Sequence, residues 1–192
     1  MAASSSSENC WGIGSSSALS TPPDAPSRLD AGLFYATALS LNWIVGAGAY
    51  FLLPSLGPFE ADPTAFAGLP TTAVSDLQQW LVDERAEFLD DPSAPGAAQS
   101  IGAFASLHVS IFVTGALTAH LLGLRRSIKV TLLVMTALTV LSTIYFGWHY
   151  ILDDIGGALI AVMALALARG LTGFDVATAR REVSTLAPRA AA

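Results

Sequence analysis

The sequence is poor in charged residues and has almost no cysteine. Only 12% of its 192 residues are charged, against about 25% in an average soluble domain. The 9 Lys and Arg residues stand against 15 Asp and Glu residues, which gives a net charge of −6. The chain therefore lacks the cationic surface that nucleic-acid binding requires, and we expect no nucleic-acid partner. The single cysteine, Cys10, excludes an internal disulfide framework and a multi-cysteine zinc site.

Long apolar segments are abundant instead. Hydrophobic residues make up 53% of the chain, and the mean hydropathy is +0.55. Residues 32–52 form a run of 21 residues without a charge, long enough as a helix to cross about 30 Å of hydrocarbon. The sequence therefore predicts an all-α, polytopic membrane helical bundle.

Four membrane spans are predicted, over residues 32–52, 105–124, 130–145 and 149–171. A short basic turn with Arg125, Arg126 and Lys129 follows the second span. The 42 residues from 130 to 171 are twice the length of one span, so they must fold back on themselves. Gly147 is best suited to the positive φ of a reversal, which places the turn at 146–148.

The segments outside the spans differ in composition. Residues 1–31 are rich in serine and proline, which predicts disorder; a serine-rich transit peptide and an over-called start codon are alternatives. Residues 55–104 carry 8 acidic side chains and one base, Arg85, and a helical apolar spacing predicts a surface helix over 73–89. Residues 32–171 form the predicted membrane domain, and 172–192 a polar cytoplasmic tail.

The distribution of Lys and Arg predicts the orientation in the cell membrane. Eight of the nine bases fall on one side of the predicted spans, and Arg85 alone falls on the other. The positive-inside rule then makes both termini cytoplasmic. The acidic loop and the 146–148 turn face outward, as does any chemistry located there.

Two histidines and an aspartate lie at the outward ends of their predicted spans: His108, His149 and Asp153. His120 lies about 18 Å further in along the second span and is interpreted as structural. His149 and Asp153 are four residues apart, so we expect them on one face of the fourth helix. There the carboxylate could accept the Nδ1 proton and leave Nε2 as a nucleophile or metal ligand. A capping pair at the helix end is the alternative.

The second span begins near Ser106, where backbone N–H groups and the helix dipole favour an anion such as phosphate. His108, in the first turn, could protonate a departing oxygen. The alternative is an N-cap serine followed by an interfacial histidine.

Two strings carry a family resemblance. Ser106-Leu107-His108, and Ser142 followed after six residues by His149 and after three more by Asp153, resemble the second and third signature motifs of the type 2 phosphatidic acid phosphatase superfamily. The glycines that follow Asp153 and the string LPSLGP at 53–58 are similar to its inositol-phosphotransferase branch, which is related to inositol phosphorylceramide synthases.

The resemblance implies a membrane enzyme of lipid metabolism that removes or transfers a phosphate-bearing group of a lipid at the outer face. His149 would be the nucleophile that forms a phosphohistidine, Asp153 its orienting base and His108 the general acid. Ser106 and Ser142 would bind phosphate. No metal and no cofactor are expected.

The sequence also departs from that family. The first motif, with its Lys and Arg-Pro, is absent; Thr143 stands where an arginine is usual, and Ala105 where a proline is usual. Arg85 is by elimination a candidate phosphate ligand, with a solvated surface as its alternative. Four spans replace the usual six, so either two spans are truncated or a second copy or partner subunit completes the protein.

Two other functions stay open. The chain could be an inactive family member that serves as a non-catalytic membrane partner subunit. His108, His149 and Asp153 could instead bind Zn or Fe, since two histidines and a carboxylate suit these metals. Neither the lipid nor the acceptor, water or an alcohol such as inositol, follows from the residues.

Overall fold

The computed structural model describes residues 28–93 and 103–186, and its regular elements in these ranges are all helices. They are α1 (Arg28–Leu52), α2 (Pro58–Ala61), α3 (Pro63–Phe66), α4 (Ala73–Asp90), α5 (Leu107–Leu121), α6 (Arg126–Tyr145), α7 (Ile151–Thr172) and α8 (Val176–Leu186). The all-α prediction is confirmed. Helix α1 begins four residues before the predicted span, and α8 lies in the predicted tail. The segments 1–27 and 187–192, which include most of the predicted disorder, lie outside the described residues.

Helices α1, α5, α6 and α7 form the bundle, with α5 packed against the other three and α1 against α7. The inward face of α7 consists of small residues three or four positions apart, including Gly157, Ala161, Ala164 and Ala168, all of them buried. Small side chains let helix backbones approach closely, which drives helix association inside membranes.

Helices α1, α6 and α7 are long and apolar enough to cross a membrane. The predicted second span differs: α5 has only 15 residues, or about 22 Å at 1.5 Å per residue, which is short of the hydrocarbon thickness. Ser106 caps the helix at one end, and at the other the chain turns at Gly123, whose φ is 67°. A count of four spans therefore stays a prediction.

A buried polar network joins α1 to α5. Asn42 Nδ2 donates to Thr114 Oγ1 at 2.8 Å, and Ser110 Oγ donates to Asn42 Oδ1 at 2.5 Å. All three side chains are fully buried. Because an unpaired polar group costs several kcal/mol in an apolar environment, about 2–7 by transfer data, this pairing fixes the register of the two helices.

The predicted turn and a helix over the predicted range 73–89 are both present, while the placement of that helix on the membrane surface stays a prediction. Gly147 has φ 72° between α6 and α7, and α4 extends over Ala73–Asp90. The acidic segment covers this turn: Gln78 Nε2 donates to the Phe146 carbonyl at 2.7 Å, and the Phe59 amide donates to the Gly147 carbonyl at 3.0 Å. The turn that precedes His149 is thus held from outside the bundle.

Candidate active site

His108 and His149 lie side by side, with ring centroids 5.9 Å apart and ring planes at 57°. His149 is buried with 5% of its surface exposed, whereas His108 is exposed. At this separation one phosphate group could contact both rings. The structure therefore brings together the two histidines that were predicted to form the site, with His149 buried and His108 exposed.

The His149 ring is held by a backbone carbonyl and not by Asp153. Its Nδ1 lies 2.9 Å from the Ala103 carbonyl oxygen but 3.9 Å from Asp153 Oδ2. A carbonyl only accepts, so Nδ1 carries the proton and Nε2 keeps its lone pair. The predicted tautomer is thus supported, but through a different acceptor.

The reason lies in where α7 begins. The helix starts at Ile151, after the N-cap Tyr150, so His149 precedes the helix and does not share its face. Asp153 turns back instead and accepts from the Tyr150 amide at 2.7 Å. The capping interpretation therefore describes Asp153 better than the role of orienting base.

The surroundings of His149 lower the pKa of its imidazole below the ordinary value of 6.5. Burial is the main cause, and repulsion from His108 adds to it; the Ala103 carbonyl and Asp153 act in the opposite direction. His149 is therefore neutral at physiological pH. A neutral imidazole with a free Nε2 is the form that can attack phosphorus.

The loop after α1 positions the carbonyl that holds His149. The Ser55 carbonyl accepts from the Ala103 amide at 3.0 Å, and Ser55 Oγ accepts from the Phe104 amide at 3.0 Å. The Ser106 amide in turn donates to the Asp153 carbonyl at 2.9 Å. The LPSLGP string, which the sequence analysis noted only as a resemblance, thus connects the beginnings of α5 and α7.

Ser106 is the N-cap of α5, which is the alternative to its predicted role as a phosphate ligand. Its Oγ accepts from the Val109 amide at 3.4 Å, and the side chain is fully buried. Its side chain also lies close to that of Asp154, a buried carboxylate that was not among the predicted site residues. The spacing 154-157-161-164-168 of the small-residue face could have identified Asp154 as inward-facing.

Thr143, and not its neighbour Ser142, faces the interior of the bundle. Ser142 is exposed on α6, so the structure does not bring this predicted phosphate ligand to the site. Thr143 is buried, and its hydroxyl lies 3.3 Å from Asp154 Oδ2 while donating to the Val140 carbonyl at 2.9 Å. Successive side chains on a helix point about 100° apart, so only one of the two can face inward.

Arg85 and His120 have other contacts in the structure. Arg85 Nη1 forms an ion pair with Glu60 Oε1 at 2.9 Å, so a role in binding phosphate would require it to leave this partner. His120 is exposed near the far end of α5, with Nδ1 3.1 Å from the Ala116 carbonyl. Among the described residues, no group of three or more His, Cys, Asp or Glu side chains is arranged to hold a metal ion.

The family comparison covers the same region. The model of the PAP2 superfamily, the type 2 phosphatidic acid phosphatases, matches residues 27–167, most of the chain, with both histidines inside the match. No curated protein matches the chain, and no solved structure does.

Proposed function

Because this chain belongs to the PAP2 superfamily, we propose that it is a metal-independent membrane phosphatase or phosphotransferase acting on a phosphate-bearing lipid. The observation that carries the proposal is the pairing of buried His149 with exposed His108, whose ring centroids are 5.9 Å apart. One neutral histidine with a free ring nitrogen beside a second histidine open to the surroundings is suited to nucleophilic attack with proton transfer.

The proposed reaction has two steps. Nε2 of His149 attacks phosphorus, a phosphorus–nitrogen bond forms, and the bond from phosphorus to the leaving oxygen breaks. Protonated His108 gives its proton to that oxygen. Water or an alcohol then attacks the phosphohistidine, with His108 accepting the proton, and His149 is released neutral.

A groove beside the site supports a lipid substrate. It has a volume of about 490 Å³, lies between α1 and α7, and is lined almost entirely by apolar side chains. Phe104 and Ala105, the two residues before Ser106, lie at its edge. A hydrocarbon chain in this groove would bring its phosphate to the beginning of α5.

We further propose the sidedness and the acceptor class. The bases of α8 and of the α5–α6 turn lie at the end of the bundle opposite the histidines, which supports cytoplasmic termini and an outward-facing site. The SLH string, the glycines after Asp153 and the LPSLGP loop are similar to the inositol-phosphotransferase branch, so an alcohol such as inositol stands beside water as a candidate acceptor.

The test offers purified protein a panel of lipid phosphates, with and without inositol, and measures released phosphate and any inositol-containing product. We expect turnover that survives EDTA, is inhibited by vanadate, and is lost in His149→Gln. His120→Gln is the matched control and should retain wild-type turnover. Equal activity in His149→Gln and His120→Gln would contradict the proposal, and loss on chelation with recovery on added Zn would favour a metal site.

A second candidate function is that of a non-catalytic partner subunit. The hydrogen bonds and ring contacts described for the two histidines involve no Lys or Arg side chain. Thr143, which stands where the family usually has an arginine, lies against Asp154, and Arg85 is paired with Glu60. Folded protein that releases no phosphate from any substrate of the panel would favour this function.

A further inference from the structure

A cavity lined by arginines lies at the end of the bundle opposite the histidines. Its volume is about 560 Å³. It is lined by Leu121, Arg169, Val176, Ala177, Arg180 and Arg181. These residues come from the last turns of α5 and α7 and from α8. The histidine site lies at the first turns of α5 and α7, so the two sites are at opposite ends of these helices.

The turn between α7 and α8 gives this arginine cavity its shape. Gly173 ends α7 in the left-handed conformation, with φ 64°. The next residue, Phe174, is buried and stacks on Phe34 of α1, with ring centroids 4.9 Å apart and planes at 13°. Ala179 of α8 is also buried. These contacts hold α8 across the end of the bundle, so its arginines have a defined place.

The charge of the cavity is positive. Its lining holds three arginines and no acidic residue. Asp175, just outside this lining, interacts with Arg169 but accepts from the Thr178 hydroxyl at 2.6 Å and the Ala177 amide at 2.9 Å. Because Arg181 has another interaction within the protein, Arg169 and Arg180 are the arginines of this cavity that we consider as anion ligands.

Arg180 is placed by the α5–α6 turn. A Cβ atom added at Gly123 would lie 3.4 Å from Arg180 Cγ and 3.8 Å from its Nε, so the arginine stem occupies the space that this glycine leaves. Arginine forms bidentate, charge-assisted hydrogen bonds with phosphate oxygens and presents its donors in a fixed plane. The cavity thus holds a positioned phosphate-binding side chain at its rim.

We propose that the arginine cavity binds the phosphate of an anionic phospholipid at the membrane surface opposite the histidine site. The lipid is favoured over free phosphate because Leu121, Val176 and Ala177 add an apolar wall, and because α7, which is long and apolar enough to cross a membrane, ends there. A headgroup at this boundary can place its phosphate on the arginines and its glycerol and upper acyl chain against that wall.

The test measures the thermal stability of purified protein in detergent as lipid is added. Phosphatidylglycerol should raise the Tm in a saturable way, while phosphatidylcholine and inorganic phosphate should not. In the double variant Arg169→Gln and Arg180→Gln, we expect the apparent Kd for phosphatidylglycerol to rise about tenfold or more, because charge-assisted contacts are lost.

The matched control changes two arginines at the same end of the bundle that do not line the cavity, Arg125→Gln with Arg126→Gln. This variant should keep the wild-type Kd. Equal weakening in both double variants, an unchanged Kd in the cavity variant, or the same stabilisation by inorganic phosphate would overturn the proposal. If the cavity variant does not fold, Arg180→Gln against Arg125→Gln makes the same comparison. No phosphatase activity is measured, so the outcome is independent of the proposed reaction.

Discussion

At the scale of single residues, the site depends on how His149 is held. The ring is buried, and its Nδ1 is 2.9 Å from the Ala103 carbonyl. A carbonyl fixes the tautomer as a carboxylate would, but it adds no full negative charge beside the proposed nucleophile, which would have to approach an anionic phosphate. Asp153, 3.9 Å from the same nitrogen, is occupied by the Tyr150 amide.

The proposed roles of the two histidines, His149 as nucleophile and His108 as general acid, predict that the effect of losing His108 depends on the leaving group. His108→Gln should slow hydrolysis of an alkyl phosphate by about 10²- to 10⁴-fold, the usual value of general-acid help. The phenolate of a phenolic phosphate ester is a good leaving group that needs no proton. Hydrolysis of this ester should therefore be affected far less. Comparison of kcat/KM for the two esters in His108→Gln and in the control His120→Gln measures this. Equal losses for both esters would contradict the role given to His108.

The lowered pKa of His149 predicts a pH-dependent stability. In the unfolded chain this histidine takes up a proton as the pH falls through about 6.5, but the folded protein resists protonation until lower pH, so acid favours unfolding. The Tm of the wild type should therefore fall between about pH 7.5 and pH 5.5 more steeply than that of His149→Gln. His120→Gln should keep the wild-type slope; parallel slopes for the wild type and His149→Gln would refute this.

At the scale of elements, the site is a junction of helix beginnings. Helices α5 and α7 start side by side, joined by the hydrogen bond from the Ser106 amide to the Asp153 carbonyl at 2.9 Å. Gly157 makes this approach possible, because a Cβ atom there would lie 2.2 Å from the Ser106 carbonyl oxygen. The acceptor for His149 comes from the same junction, through Ala103 and the Ser55 loop.

Two glycines of α7 make a matched pair for testing this junction. Gly157→Ala forces backbone apart and should destabilise the protein by about 1–3 kcal/mol, as overpacking does, with loss of activity. Gly170→Ala has no atom within 4 Å of the new Cβ and should stabilise the protein by about 0.4–1 kcal/mol. Thermal unfolding of both variants tests whether Gly157→Ala lowers the stability and Gly170→Ala raises it. A Gly157→Ala protein as stable and active as the wild type would show that α5 and α7 are not packed this closely.

At the scale of the whole molecule, the two ends of the bundle differ in charge. Residues 55–104 carry 8 acids and one base, and the described part of this segment packs over the turn that leads to His149. The opposite end carries the arginine cavity. An anionic substrate therefore approaches the proposed reaction site against the long-range field, and short-range contacts must hold it.

This charge pattern predicts an unusual response to salt. Raising the ionic strength from about 0.01 M to 0.15 M shortens the screening length from about 30 Å to 8 Å. The kcat/KM for a soluble phosphate ester should therefore rise, because the repulsion is screened. Glu87→Gln with Asp90→Asn, two exposed acids of α4, should raise kcat/KM at low salt and weaken its salt dependence. A kcat/KM that falls with salt would indicate a cation-steered site instead.

The features that follow from local chemistry and spacing could be predicted from the amino-acid sequence. The charge-free run predicts α1, apolar spacing predicts α4, and Gly147 predicts the reversal, because span length, amphipathic period and positive φ are properties of neighbours along the chain. The hydrogen-bond and ion-pair partners of the site residues became known only from the tertiary structure. The Ala103 carbonyl replaces Asp153, Thr143 and Asp154 face inward where Ser142 does not, and Arg85 pairs with Glu60, which lies 25 residues away. These contacts join segments that are separated along the chain. Which side chain makes each contact depends on where each helix begins and on which of its faces is buried.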